Sequence, residues 1–176
     1  VNPLADGGFV VTYGDVTEKR AGEQALRESE ERYALAAAGA NDGLWDWDLR
    51  TDRIYLSPRW KAMLGYPEAE IGDGTDEWFG RIHSDDTERV TAQIDAHLRG
   101  GVSHFESEHR MLHQDESYRW MLTRGLAVRG DDDKAYRVVG SQTDITDRKR
   151  AEEQLIHDAL HDSLTGLANR TLFLER

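Results

Sequence analysis

Gly43-Leu44-Trp45-Asp46-Trp47-Asp48-Leu49 is the stretch that decides the fold. Apolar and polar residues alternate, which puts Trp45, Trp47 and Leu49 on one face of a β-strand. Thr51-Asp52-Arg53 supplies a turn, and Ile54-Tyr55-Leu56 reads as the paired strand. Ser57-Pro58 then opens a helix at Arg59, because Ser is a good N-cap and Pro fits the first turn. Trp60, Met63 and Leu64 form its inner face, and Gly65 with Pro67 ends it.

Further along, residues 76–82 read as a short helix carrying Trp78 and Phe79. Residues 84–98 read as a longer one, with Ser84 as its cap and Asp85, Asp86 and Glu88 at its positive end. Gly100-Gly101 stops that helix. Three long strands follow, at 104–112, 117–128 and 135–144, with Gln114-Asp115-Glu116 and Gly130-Asp131-Asp132-Asp133 as the turns. Strands and helices segregate along the chain, which predicts an α+β fold on an antiparallel sheet.

The flanks repeat one another. Asp15-Val16-Thr17-Glu18-Lys19-Arg20 leads into Glu23-Gln24-Ala25-Leu26, and Asp144-Ile145-Thr146-Asp147-Arg148-Lys149 leads into Glu152-Glu153-Gln154-Leu155. Each copy follows an apolar run, Phe9–Tyr13 or Tyr136–Ser141, and becomes a charged helical pattern. The expected order is the end of one module at 1–17, a connecting helix at 18–39, a complete module at 40–147, a linker helix at 148–160 and a truncated further domain at 161–176. In the first helix Gly22, Leu26, Ser29, Tyr33 and Ala36 make a weak 3-4 seam, open to a short coiled coil or to an amphipathic connector.

Charge and composition narrow the partners. The 176 residues carry a formal charge of −12, which disfavours nucleic acid and anionic membrane surfaces. Cysteine is absent, so disulfides, thiolate chemistry and Cys-based zinc sites are excluded; the absence fits a reducing, cytoplasmic setting. Any membrane anchor of the parent is expected upstream.

The order of elements resembles a PAS domain with its trailing PAC segment, in the tryptophan-rich branch. The resemblance rests on Gly43–Asp48, on Ser57-Pro58-Arg59-Trp60-Lys61 with Met63-Leu64-Gly65-Tyr66, and on Trp78 leading to Ile82-His83-Ser84-Asp85-Asp86. Tyr118-Arg119-Trp120 and Gly140-Ser141 with Thr143-Asp144-Ile145-Thr146 complete it. Ser84 departs from the Pro that family often has there. The resemblance implies a five-stranded antiparallel sheet with short helices on one face, flanked by signalling helices. It also implies a sensor role. Asp162, Leu164, Thr165, Gly166, Asn169 and Arg170, followed by Phe173, resemble the opening of GGDEF domains, the catalytic domains of diguanylate cyclases.

Together these imply a module that passes a ligand- or redox-dependent signal through Asp144, Ile145 and Thr146 to a GGDEF domain making cyclic di-GMP. A phosphodiesterase domain beyond it is an alternative output in the parent. The chain itself is expected to have no enzymatic activity. Trp45, Trp47, Trp60, Trp78 and Trp120 are the candidate wall of a ligand pocket, set against the plainer reading of a tryptophan core. No cofactor is the main expectation, with non-covalent flavin or haem as alternatives. His97 is the haem candidate, although the family's haem ligand falls nearer Arg89 or Val90. His157 and His161 have metal-ligand spacing but no third ligand nearby, so a solvated helix face is the expectation. The expected partners are a second copy through the flanking helices and the adjacent PAS and GGDEF domains, with a small molecule in the pocket. The rival reading is a ligand-free module that only dimerises or docks.

Overall fold

The computed structural model describes residues 2–3, 9–10, 39 and 41–160. The chain divides into two units, 1–39 and 40–176. In the first, the short strands β1 (Asn2–Pro3) and β2 (Phe9–Val10) pair antiparallel. The coiled-coil seam and the GGDEF-like residues Asp162, Leu164, Thr165, Gly166, Asn169 and Arg170 lie outside the described residues.

The second unit is built on one antiparallel sheet of β3 (Gly43–Asp48), β4 (Arg53–Leu56), β5 (Phe105–Leu112), β6 (Tyr118–Arg129) and β7 (Ala135–Asp144). The strand order is β4-β3-β7-β6-β5, so the first and last strands meet in the middle, with Gly43 opposite Gln142. Asp52, at φ 53°, turns β3 into β4. Asp tolerates this left-handed conformation better than most residues. Strands and helices segregate onto one antiparallel sheet, the α+β arrangement expected from the order of elements.

Between the two edge strands run α1 (Pro58–Met63), a 3-10 turn (Glu68–Glu70), α2 (Asp76–Phe79) and α3 (Ser84–Leu98). Ser57 caps α1 as expected. Its Oγ accepts from Trp60 N at 3.3 Å and also from Leu44 N at 2.9 Å, which ties the helix to β3. The cap of α3 differs from the expectation. Ser84 is already helical, and Nδ1 of His83 accepts from Asp85 N at 3.2 Å. Asp86, Val90, Ile94 and His97 repeat every three or four residues and form the buried stripe of α3.

The core lies between this helical layer and the inner face of the sheet. Trp60, Leu64, Val90, Met111 and Met121 are fully buried in it. Trp45 lies over Gly125 and Gly140, which pair across β6 and β7. A Cβ on Gly125 would come within 2.6 Å of the Trp45 indole, so only glycine lets that ring seat on the sheet. Helix α4 (Thr146–Leu160) leaves directly from the end of β7.

Candidate functional site

Inward-facing residues on the central strands build a polar cluster within the apolar core. Gln142 is fully buried on β7. Its Oε1 accepts from Trp78 Nε1 at 3.3 Å and from Thr123 Oγ1 at 3.0 Å, and its Nε2 donates to Met111 Sδ at 3.4 Å. Trp78 stacks on Trp45 with centroids 5.8 Å apart and meets His109 edge-on at 5.9 Å. His109 is fully buried, and neither ring nitrogen has a hydrogen-bond partner. Burial, reinforced by the Arg89 charge, pushes its pKa down to about 4, so the ring is neutral at physiological pH. Trp60 Nε1 is likewise buried without a partner. Unsatisfied buried polar atoms are costly, and they mark this interior as able to bond a small polar group.

The five tryptophans do not form one wall. Trp45, Trp60 and Trp78 share the core, and Trp47 sits half-buried at its edge against Phe79. Trp120 lies on the opposite face of the sheet. Met121 and Thr123 point inward, so strand alternation turns Trp120 outward. There Lys149 Nζ is 5.3 Å and the Arg110 guanidinium 5.6 Å from its ring centre. That outer face also carries a depression of about 620 Å³ bordered by Leu44, Tyr55, Leu126 and Val139.

His97 does not offer a haem ligand. Its Nε2 accepts from Ala127 N at 2.9 Å, which leaves the ring proton on Nδ1 to donate to Val102 O at 3.0 Å. Both nitrogens are consumed by packing α3 and its following loop onto β6. Among the described residues no cluster of three or more His, Cys, Asp or Glu side chains could hold a metal ion. His157 is exposed, and His161 lies outside the described residues. No described helix is long and apolar enough to cross a membrane.

The turn into α4 is tightly held. Asp144 Oδ1 accepts from Thr146 N at 2.8 Å. Thr146 is already helical, and its Oγ1 accepts from Trp120 N at 3.0 Å, while Ile145 N donates to Trp120 O at 2.9 Å. Ile145 and Thr146 are both buried. One turn on, Glu108 of β5 takes Arg148 and Lys149 at 2.6 Å each. These bonds, from Lys149 first and then Arg148, hold the Glu108 carboxyl below its usual range.

Sequence reasoning missed His109, Gln142 and Glu108. The alternation Phe105, Ser107, His109, Met111 was the available signal, since it assigns His109 to the inner face.

The PAS fold family matches residues 53–142. A sensory box histidine kinase/response regulator from Burkholderia thailandensis superposes with a TM-score of 0.63 and is 40% identical, over 70% of this chain and 92% of that one. The N-terminal domain of a diguanylate cyclase with PAS/PAC sensor from Marinobacter aquaeolei gives 0.56 at 27% identity, over 61% of this chain and 98% of that domain. Protein y4lL of Sinorhizobium fredii is 32% identical over 97% of this chain and 21% of its own length. The chain thus spans about a fifth of the curated relatives it matches first.

Proposed function

The chain belongs to the PAS fold family, and on that premise we propose that it is a regulatory sensor module reporting through helix α4 to a GGDEF domain. The observation that carries this reading is the turn at Asp144, Ile145 and Thr146. Gln142 of the interior cluster lies two residues before Asp144 on the same strand, and the turn fixes the helix to β6 through Thr146 and Ile145. A ligand or redox change that moves Gln142 therefore tilts the exit of α4. The residues Asp162, Leu164, Thr165, Gly166, Asn169 and Arg170 support a GGDEF domain as the receiver, as does the likeness to a diguanylate cyclase sensor domain. Cyclic di-GMP synthesis on this reading is the work of the GGDEF domain and not of the sensor module.

Flavin fits the interior less well than a small polar molecule, because Trp60, Leu64, Met111 and Met121 fill it. Dimerisation through the flanking helices is supported by Leu155 and Ile156, which stand exposed on α4. The setting is cytoplasmic, in keeping with the absence of cysteine.

The test is Asp144→Ala in the parent. The domain should stay folded, and the rate of cyclic di-GMP synthesis should no longer respond to the signal state. Unchanged regulation would overturn transmission through this turn.

A second reading, a ligand-free docking or dimerising module, is favoured by the same filled core together with the exposed Leu44, Tyr55 and Leu126 on the outer face. Native mass spectrometry of the chain purified from cells decides between them. Added mass of a small molecule supports sensing, and a bare monomer or dimer mass supports docking.

A further inference from the structure

Glu108, His109 and Arg110 follow one another on β5; alternation turns His109 inward and leaves Glu108 and Arg110 on the outer face, where they take different partners. His109 points into the core against Trp78. Arg110 bonds Asp86 of α3, with Nε to Oδ2 at 2.9 Å. Burial alone would raise the Asp86 carboxyl, yet Arg110 and Arg89 hold it well below its usual range. Glu108 faces outward and takes both cations of the first turn of α4. Its backbone is held from the other side of the sheet, because Arg89 of α3 donates to Glu108 O at 2.9 Å and to Ser107 Oγ at 3.2 Å. Lys149 and Arg110 also bracket Trp120. One residue thus touches the helix that covers the interior and the helix that leaves the domain.

We infer that Glu108 is a latch that couples the position of α3 to the exit direction of α4, a second route beside the Asp144–Thr146 turn. As a signalling route it rests on the sensor reading above; as a physical coupling it stands on these contacts alone. When α3 shifts over the interior, Arg89 carries the Glu108 backbone with it, and the carboxylate draws or releases Arg148 and Lys149. Glu106 provides an internal control. It lies on the same face of the same strand, but its partner is Arg124 of the neighbouring strand.

Hydrogen exchange with mass spectrometry on the full 176-residue chain tests the latch without any ligand. In Glu108→Gln, amides 149–153 should exchange roughly three- to tenfold faster, the range for losing two partly exposed charge-assisted bonds, while β6 and β7 amides stay unchanged. Glu106→Gln should leave amides 149–153 as they are. Arg89→Gln should raise exchange at 149–153 in the native background and add nothing in Glu108→Gln. Equal behaviour of Glu108→Gln and Glu106→Gln, or additive effects of Arg89→Gln and Glu108→Gln, would overturn the latch. A bare mass in native spectrometry alongside a working latch would instead remove the sensor reading alone.

Discussion

His109 makes the stability of this domain depend on pH between about 6.5 and about 4. Its ordinary value is 6.5, and burial lowers it to about 4 in the folded state. The folded protein therefore refuses a proton that the unfolded chain accepts. Stability is full above the unfolded value, falls as pH drops through 6.5 towards 4, and levels off once pH is below the folded value. The shift corresponds to about 2 kcal/mol lost by about pH 5 and about 3 kcal/mol by about pH 4. In a domain of this size that is a fall in Tm of roughly 6–10 °C between neutral pH and about pH 5. The carboxylates whose values are lowered, Asp48, Glu77, Asp86, Glu108 and Asp115, start from 3.8 to 4.5, so their share is lost mainly below this window. Urea denaturation across that range, on the native chain and on His109→Leu, isolates the effect. The native chain should weaken by about 2 kcal/mol and the variant by a small fraction of that. Equal slopes in the two proteins would mean that His109 is solvated or bonded in the folded state, and the account of the interior cluster would fail.

His97→Leu should destabilise the domain by about 2–4 kcal/mol, since it leaves Ala127 N–H and Val102 O without their ring partners. Haem added to the native chain should give no Soret band that depends on His97, and such a band would refute the assignment of both nitrogens to packing. Gly140→Ala should cost about 1–3 kcal/mol in chemical denaturation, because the new methyl meets the Trp45 indole and the Arg124 carbonyl; a neutral outcome would mean that Trp45 does not seat on the sheet. Thr146→Val should leave Trp120 N–H without its acceptor and speed exchange of that amide selectively. Unchanged exchange there would refute the hydroxyl as the tie between α4 and β6.

The parts of the fold set by local periodicity were legible. Alternation in 43–49 and the Ser57-Pro58 opening of α1 needed only the sequence, and β7 ended where Asp144 was expected to end it. The cap of α3 was not legible, because a serine and a histidine stood side by side and only the backbone angles assign His83 to the capping position. The placement of Trp120 was not legible for a different reason. Counting aromatic residues ignores which face each occupies, and Trp120 shares its strand parity with exposed Arg124 and Leu126, not with Met121. His97 looked available because its two bonds run to backbone groups, one in the loop after α3 and the other thirty residues away on β6, and neither is visible as a motif.

Trp120 is what ties the two faces of the sheet together. Strand pleating means that neighbouring residues on β5, β6 and β7 alternate between the interior and the outer surface. Thr123 and Gln142 hold the inner cluster, while Trp120 and Glu108 on the same sheet meet the first turns of α4. A helix anchored at both a turn and a neighbouring strand cannot swing independently of the sheet. A change in the bonds of Gln142 or in the seating of His109 shifts the strands that carry them, and those strands reach α4 through Asp144 of β7, which accepts from Thr146 N, and Glu108 of β5, which holds Arg148 and Lys149. On the proposed sensor reading, a signal needs no large cavity; a change in one or two hydrogen bonds of the interior cluster, carried by the backbone of β5 and β7, redirects α4.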